Sequence, residues 1–400
     1  MDFELASYDD PKRLAVRSWL GEHPSPTGRQ LAEAGYVVPH WPAPYGLDAD
    51  PVHQLIIDEE LRRAGVGRPA NPIGIGWAAP TILMAGSDAQ KERYLWPALA
   101  GEEFWCQLFS EPDAGSDLAS LSTRAVRDGD EWVVNGTKIW TSGAHIAKFG
   151  ILLARTDADA PKRKGISYFV CPMDAPGITM SPIIDMTGAH SFNQVFFDDA
   201  RLPADCLVGE VNDGWRLAKA TLANERVSLS TGGVLWGSGP SAQDLVDLIR
   251  DGSPDANGGA AADPLMRQRI VRVWIEGEVL RLIRLRTLSA QLAGRPPGPE
   301  ASVQKLLADE HGQRVMELAK DLVGASGMLA GSGPAGKLAA GRKGGATEIR
   351  FEENLMPGVE RVWHYGFLFS PALTIGGGTW AVQRNIIGEW VLGLPREPGA

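Results

Sequence analysis

Residues 106–126 read CQLFSEPDAGSDLASLSTRAV, and this stretch stands where the pattern of the chain changes from helical to extended. Upstream, between Pro51 and about Gly101, apolar residues recur at helix spacing in VHQLIIDEELRRAGV and PTILMAGSDAQKERYLWPALAGE. The VVPHWPAPYGLDADP ahead of them is too rich in proline to be anything but a loop. Downstream, DGDEWVVNGTKIWTS alternates and contains Asn135-Gly136, the strongest short-range hairpin signal, with strands running into Thr137 to Trp140. GILLAR, GISYFVCPM, GITMSPI and NQVFFDDARLP continue as short strands separated by Gly, Pro and Asp, so the middle of the chain reads as a small β domain. After LVGEVNDGW the helical pattern returns. Val271, Ile275, Val279, Leu282, Leu285 and Leu288 recur at steps of three and four, as do Val303, Leu307, Val315, Leu318 and Leu322 with one polar gap, and both stripes read as helix-bundle core. Two glycine-rich interruptions, GSGPSAQ to DGSPDANGGAAADP and LAGSGPAGKLAAGRKGGATE, read as loops. The class is α+β, in three parts: 1–104 helical, 105–208 β, 209–400 a helical bundle.

The bulk numbers bound the function. A chain of 400 residues exceeds what one hydrophobic core usually supports, and 44% hydrophobic content is ample for folding. A formal net charge of −10, with both signs interspersed, gives no basic field for a nucleic-acid backbone. Cys106, Cys171 and Cys206 are odd in number, far apart and in no metal-ligand spacing, which fits a reducing compartment and argues against a disulfide framework or zinc. His40, His145, His190, His311 and His364 are scattered without metal spacing, so no metal site is expected. The N-terminal text lacks a signal-peptide pattern, and no stretch approaches the roughly 20 apolar residues of a membrane span, so a soluble, cytoplasmic protein is expected.

TIGGGTWAVQRN, residues 374–385, places three glycines just ahead of the last helix. Glycine admits positive φ and close backbone approach, so this text reads either as a flexible turn or as a backbone amide aimed at a ligand.

Two motifs in order now carry a resemblance. Ser110-Glu111-Pro112-Asp113-Ala114-Gly115-Ser116-Asp117, followed by Asn135-Gly136-Thr137-Lys138-Ile139-Trp140-Thr141-Ser142, resembles the acyl-CoA dehydrogenase family. The likeness extends to PTILMAGSDAQKERYLWPALAGE, to DDARLPADCLVGEVNDGW and loosely to the C-terminal helices. It implies an acyl-CoA dehydrogenase-like fold: an N-terminal helical domain, a middle β-barrel-like domain and a C-terminal helical bundle. It also implies FAD as cofactor, an acyl-CoA substrate and an electron-transfer flavoprotein as acceptor. Carried over by resemblance, the Leu108 and Ser110 region meets the flavin pyrimidine edge, Ser142 meets the reactive nitrogen and Trp140 packs on the ring. Ser116 lies toward the thioester and pantetheine, and Thr379 and Gln383 toward the adenosine.

Dehydrogenation of an acyl thioester needs a base for the α proton and donors for the carbonyl where charge develops. Many members of the family carry the base as a glutamate in a Tyr-Glu-Gly-Thr stretch; here Gly377 stands in its place. That departure implies either a non-catalytic subunit or a base from elsewhere. In other members, resembling the isovaleryl-CoA and long-chain enzymes, a Glu-Arg pair on a C-terminal-domain helix supplies it, and LANERVSLS offers Glu225 as base and Arg226 to position it. The competing reading of Glu225 is an ordinary helix-surface ion pair. The Gly377 amide can then donate to the thioester carbonyl, at a residue small enough to admit substrate. Homotetrameric relatives also carry an Arg-x-x-Phe-Gly motif that reaches a neighbour's FAD pyrophosphate, whereas this region reads RDGSPDANGGAAADPLMRQRI. The chain therefore resembles subunits of the actinobacterial, two-subunit acyl-CoA dehydrogenases of steroid side-chain breakdown, with a different partner chain expected. A fold relative that binds DNA or performs flavin-dependent oxygenation is the remaining alternative.

Overall fold

The computed structural model describes residues 7–229, 235–236, 239–250, 263–292, 298–299, 301–323 and 362–396. The glycine-rich stretch 329–348 lies outside them, as do residues 251–262 of the other. The chain divides into two compact units, Met1–Asp185 with His190–Glu225, and Met186–Ala189 with Arg226–Ala400.

The first unit opens with helices α1 (Pro11–Glu22), α2 (Gly28–Glu33), α3 (Pro51–Arg63), α4 (Ala79–Ala85) and α5 (Asp88–Ala100). Local chemistry sets their ends. Asp50 accepts from the His53 N–H at 2.8 Å to start α3, with Pro51 as its first residue. Ser87 and Gln90 form a reciprocal capping box on α5, which stops at Gly101 with a left-handed φ of 70°. Strands follow: β1 (Trp105–Leu108), β2 (Arg124–Asp128), β3 (Glu131–Ser142), β4 (Phe149–Arg155), β5 (Ile166–Pro172), β6 (Ile178–Ile183), β7 (Phe192–Pro203) and β8 (Leu207–Val208). They form one sheet in the order β6-β7-β3-β2-β4-β5-β8, with β1 parallel to β4. Both faces of its centre are covered, which is why β4 reads as an unbroken apolar run. Ile151 and Leu153 join the core shared with α3 to α5, while Leu152 and Ala154 join a second core with Cys106, Leu108, Phe169 and Val195. Helix α6 (Gly214–Leu229) closes the unit, with Leu217 and Ala218 fully buried in the first of those cores.

The hairpin expectation at Asn135-Gly136 is overturned. Strand β3 continues through that dipeptide, with a shift in its pairing to β7 between Val134 and Gly136, and the turn is Gly129-Asp130, with Asp128 opposite Glu131 and a φ of 59° at Gly129. Asn135 instead clasps Asp199 of β7 through two 2.9 Å hydrogen bonds. Gly136 is glycine because a Cβ there would lie 2.4 Å from the Thr123 hydroxyl.

The second unit contains α7 (Ala242–Arg250), α8 (Pro264–Leu292), α9 (Ala301–Val323), α10 (Val362–Phe369) and α11 (Trp380–Ile386). The α9 stripe is core in its second half, with Val315, Leu318 and Leu322 buried, whereas Val303 near its start is 38% exposed. The α8 stripe is not: Val271, Ile275, Val279 and Leu282 are each 41–50% exposed. Helix α8 packs instead along Val273, Gly277 and Leu280, because Gly277 lets Ala242 of α7 and His311 of α9 approach its backbone. A long helix with apolar residues on more than one side does not declare its buried face by period alone. Among the described residues, no helix is long and apolar enough to cross a membrane.

Candidate functional site

In the first unit, the two motif segments are tied together by a buried ion pair. Lys138 of β3 is fully buried and its Nζ donates to Glu111 Oε1 at 2.8 Å and to the Phe109 carbonyl at 3.0 Å. Glu111, itself 5% exposed, also accepts from the Ser122 N–H and hydroxyl at 2.7 and 2.8 Å and from the Thr123 N–H at 2.9 Å. Burial alone would raise the Glu111 carboxyl, but Lys138 and these donors outweigh it and hold the group down at about 2. Burial pulls the Lys138 ammonium down to about 8 against the opposing pull of Glu111, so the pair stays ionised between those values. The Ile139 N–H donates to the Ser110 carbonyl at 2.9 Å and completes the seam. Neither Glu111 nor Lys138 stood out from the sequence except as motif letters.

The seam fixes how β3 ends. Its pairing with β7 slips between Lys138 and Thr141, and Trp140 within the slip has a φ of 59°. A left-handed tryptophan is a genuine outlier, held where the surrounding structure over-determines it. The bulge turns the indole outward, 57% exposed, edge-on to Phe192, while Thr141 is buried and Ser142 exposed. Ser110 is half-buried at the start of the seam, Ser116 is exposed, and the Leu108 side chain is fully buried in the second core, which leaves only its backbone to face a ligand. Asn193 holds the bulge from below, donating to the Thr141 carbonyl at 3.1 Å. Its amide also links His145 and His190, whose rings stack at 4.4 Å.

Glu225 is not a helix-surface residue. It is 6% exposed on α6 and accepts from Gln107 Nε2 at 3.2 Å. Gln107 alternates with Cys106 and Leu108 along β1, so it points to the opposite face from them. One turn before Glu225, the fully buried Thr221 bonds the Thr81 hydroxyl at 2.8 Å and the Tyr168 hydroxyl at 3.2 Å, anchoring the same helix face. Gln107 escaped notice in the sequence because its partner lies 118 residues away.

In the second unit, Arg226 is half-buried on α6. The glycine loop there is built carbonyl by carbonyl. Lys305, fully buried and paired to Asp309 at 2.5 Å, donates to the carbonyls of Leu373 and Gly376, each at 3.1 Å. Gln383, also fully buried, donates to the carbonyls of Gly377 and Gly378 at 3.1 and 3.0 Å. The Gly377 and Gly378 amides donate to no protein acceptor among the described residues. With successive φ values of 68° and 86°, the loop presents N–H groups and conceals its carbonyls, the arrangement that receives an oxyanion. Thr379 caps α11 by accepting from the Val382 N–H at 3.3 Å. Gln383 therefore shapes the loop from inside, rather than offering its amide nitrogen outward. Gly377 is fixed as glycine by more than substrate access: a Cβ would lie 2.7 Å from Leu229 Cδ1 and 3.0 Å from Lys305 Cε. Gly377→Ala is expected to cost at least about 1–2 kcal/mol from the left-handed backbone alone, read as a lowered urea midpoint.

The three cysteines are buried and free, and the described residues hold no group of three metal-ligating side chains.

Comparison with known proteins places this geometry. Family models described as the acyl-CoA dehydrogenase N-terminal, middle and C-terminal domains match residues 11–102, 106–200 and 212–392. The acyl-CoA dehydrogenase FadE34 of Mycobacterium tuberculosis is 41% identical over 366 residues; these are 92% of this chain but 46% of that protein, so the chain spans about half its length. The acyl-CoA dehydrogenase IpdE1 of the same organism is 39% identical over 370 residues, 92% of this chain and 87% of that protein. Among solved structures, a ChsE4-ChsE5 complex from M. tuberculosis superposes with a TM-score of 0.72 at 29% identity over 99% of this chain and all of that one. A structure described as the Tcur3481-Tcur3483 steroid acyl-CoA dehydrogenase gives 0.72 at 28%, covering 96% and 97%. With three family models matched in order along an α, β, α chain, the protein belongs to the acyl-CoA dehydrogenase family, whose members are oxidoreductases acting on CH–CH groups.

Proposed function

We propose that the chain is the catalytic subunit of an FAD-dependent acyl-CoA dehydrogenase that forms a trans-2-enoyl-CoA from a bulky, steroid-type acyl thioester. The observation that carries this reading is Glu225, a carboxylate buried on α6 and held by a dedicated amide donor, where the usual C-terminal glutamate is replaced by Gly377. A carboxylate kept out of water on this helix face is the group that α-proton removal requires.

The residues present suit a flavin edge. Trp140 offers an exposed aromatic face beside the exposed Ser142 hydroxyl, and the seam from Ser110 to Ile139 holds the strand ends that carry them. When bound, the flavin supplies the acceptor for the hydride that leaves the β carbon. Glu225 takes the α proton onto a carboxylate oxygen, with Gln107 fixing its rotamer and Arg226 following it on the helix. The Gly377 and Gly378 amides receive the thioester oxygen as it gains charge, a contact of the kind whose loss costs about 10²- to 10³-fold in rate. Gln107→Leu leaves Glu225 without that donor, and kcat is expected to fall about tenfold, as for loss of one charge-assisted hydrogen bond, with flavin content unaltered. Gln107→Glu, which sets a second carboxylate against the first, falls further.

An unlike partner chain completes the flavin site in this proposal, as the missing Arg-x-x-Phe-Gly motif and the two-component character of the solved relatives suggest. Electrons then pass to an electron-transfer flavoprotein in the cytoplasm. The flavin-to-polypeptide ratio of the chain purified alone tests the assembly. A ratio near zero, restored by co-expression with a chain that carries the motif, is expected; a ratio near one in a homo-oligomer would contradict it.

A further inference from the structure

Behind the glycine loop, α7, α8 and α9 enclose a cavity of ≈ 200 Å³ that no step above uses. It is far above the roughly 10–15 Å³ that admits one water. Trp236 and Trp274 give it aromatic walls, and Leu229, Leu373, Ala242 and Ala308 add apolar surface.

Trp236 is kept at this wall against three costs. Its φ is 50°, a conformation that bulky side chains avoid. Its indole N–H is buried without an acceptor among the described residues. Its six-membered ring fills the space of a side chain at residue 376, where a Cβ would lie 2.4 and 2.7 Å from Cζ2 and Cη2, so Gly376 must be glycine to make room. Phe369 braces the indole edge-on at 5.1 Å. Strain retained beside a functional loop is a mark of use.

Among the described residues, the ionisable groups on the wall are all paired except one. Glu278 pairs with Arg281 at 2.8 Å, Asp309 with Lys305 at 2.5 Å and His311 with Glu276 at 3.2 Å. Arg284, half-buried two turns beyond Gly277 on α8, makes no hydrogen bond or ion pair among the described residues. Burial and the nearby Arg281 charge press its guanidinium below the usual arginine range, with Glu278 opposing them only in part. A guanidinium in this setting gains from an anion, and its planar fork suits a carboxylate.

We infer that this cavity takes the far end of the acyl group and selects one that carries a carboxylate, with the hydrocarbon body against Trp236 and Trp274 and the carboxylate on Arg284. The inference rests on the acyl-CoA reading above and extends it to a substrate class: CoA monothioesters of bulky dicarboxylic acids.

The test compares binding of two acyl-CoA series to the flavin-loaded protein by calorimetric titration. The series match in carbon skeleton over a range of lengths, one ending in a methyl group and the other in a carboxylate. At the best length the carboxylate-ended ligand is expected to bind about ten- to a hundredfold tighter, and Arg284→Met to bring the two series together. Arg284→Met should also raise the melting temperature of the ligand-free protein, because it removes a half-buried charge that Glu278 offsets only in part; a structural arginine would do the opposite. Trp236→Leu should weaken both series. Equal affinities at every length, a preference that survives Arg284→Met, or a lowered melting temperature in that variant would overturn the inference while leaving the dehydrogenase reading intact. Failure of both series to bind would overturn both.

Discussion

Replacing Glu225 by Gln is expected to slow substrate-dependent bleaching of the flavin by about 10²- to 10⁴-fold, the range that a positioned general base contributes. Glutamine fills the same volume and can keep a hydrogen bond to Gln107 at the 3.2 Å contact, so folding and flavin content should be retained. The loss should therefore appear in the rate of bleaching under saturating acyl-CoA rather than in KM. Bleaching at the unaltered rate would assign the proton transfer to another group and return Glu225 to a packing role. The Gly377 position offers no alternative base: its place is taken by Leu229 and Lys305, and its backbone is left-handed.

Lys138→Met should produce the largest loss of stability. It removes the cation that faces the Glu111 carboxylate in a buried site, and breaking such a pair from one side costs about 3–5 kcal/mol. Removing both charges, with Glu111→Gln added, should cost less than the two single changes summed, since neither then strands a charge. The pH dependence has a definite sign. The folded-state Glu111 carboxyl is depressed to about 2 from an ordinary 4.5, so its contribution is fully present above the ordinary value and is lost as pH falls from there toward 2. In urea unfolding, the gap between the native chain and Glu111→Gln should narrow across that interval. A gap that stayed constant down to pH 2 would mean the carboxylate is not stabilised by Lys138. Because the pair anchors the seam between Ser110 and Ile139, the same variants should lower flavin occupancy.

How far the sequence could be read follows from the range of each interaction. The α, β, α order was legible because helix and strand periods are local, and the motif from Ser110 to Asp117 sits at their junction. The Asn135-Gly136 hairpin misled because Asn135 serves a cross-strand clasp to Asp199 and Gly136 a close approach of Thr123, both non-local demands that use turn residues within a strand. The α8 stripe misled because Gly277, not the aliphatic period, decides which face packs. In the candidate site, Glu225 and the glycine loop were visible by resemblance, but what holds them was not. Gln107, Lys305 and Gln383 act over separations of 118, 71 and 6 residues, and even the last needs the loop's backbone path to be known. Trp140 was legible as an aromatic in a motif, whereas its left-handed backbone, which turns the indole outward, is a property of the bulge.

The most direct test of the dehydrogenase account is anaerobic addition of a bulky acyl-CoA to the flavin-loaded protein, with its partner chain if flavin loading requires one, while the flavin absorbance is followed. Loss of the visible flavin band together with formation of the trans-2-enoyl-CoA is predicted, and loss of both on Glu225→Gln assigns the chemistry to this chain. A flavin band that persists under excess thioesters of every acyl class, in protein shown to hold its flavin, would contradict it.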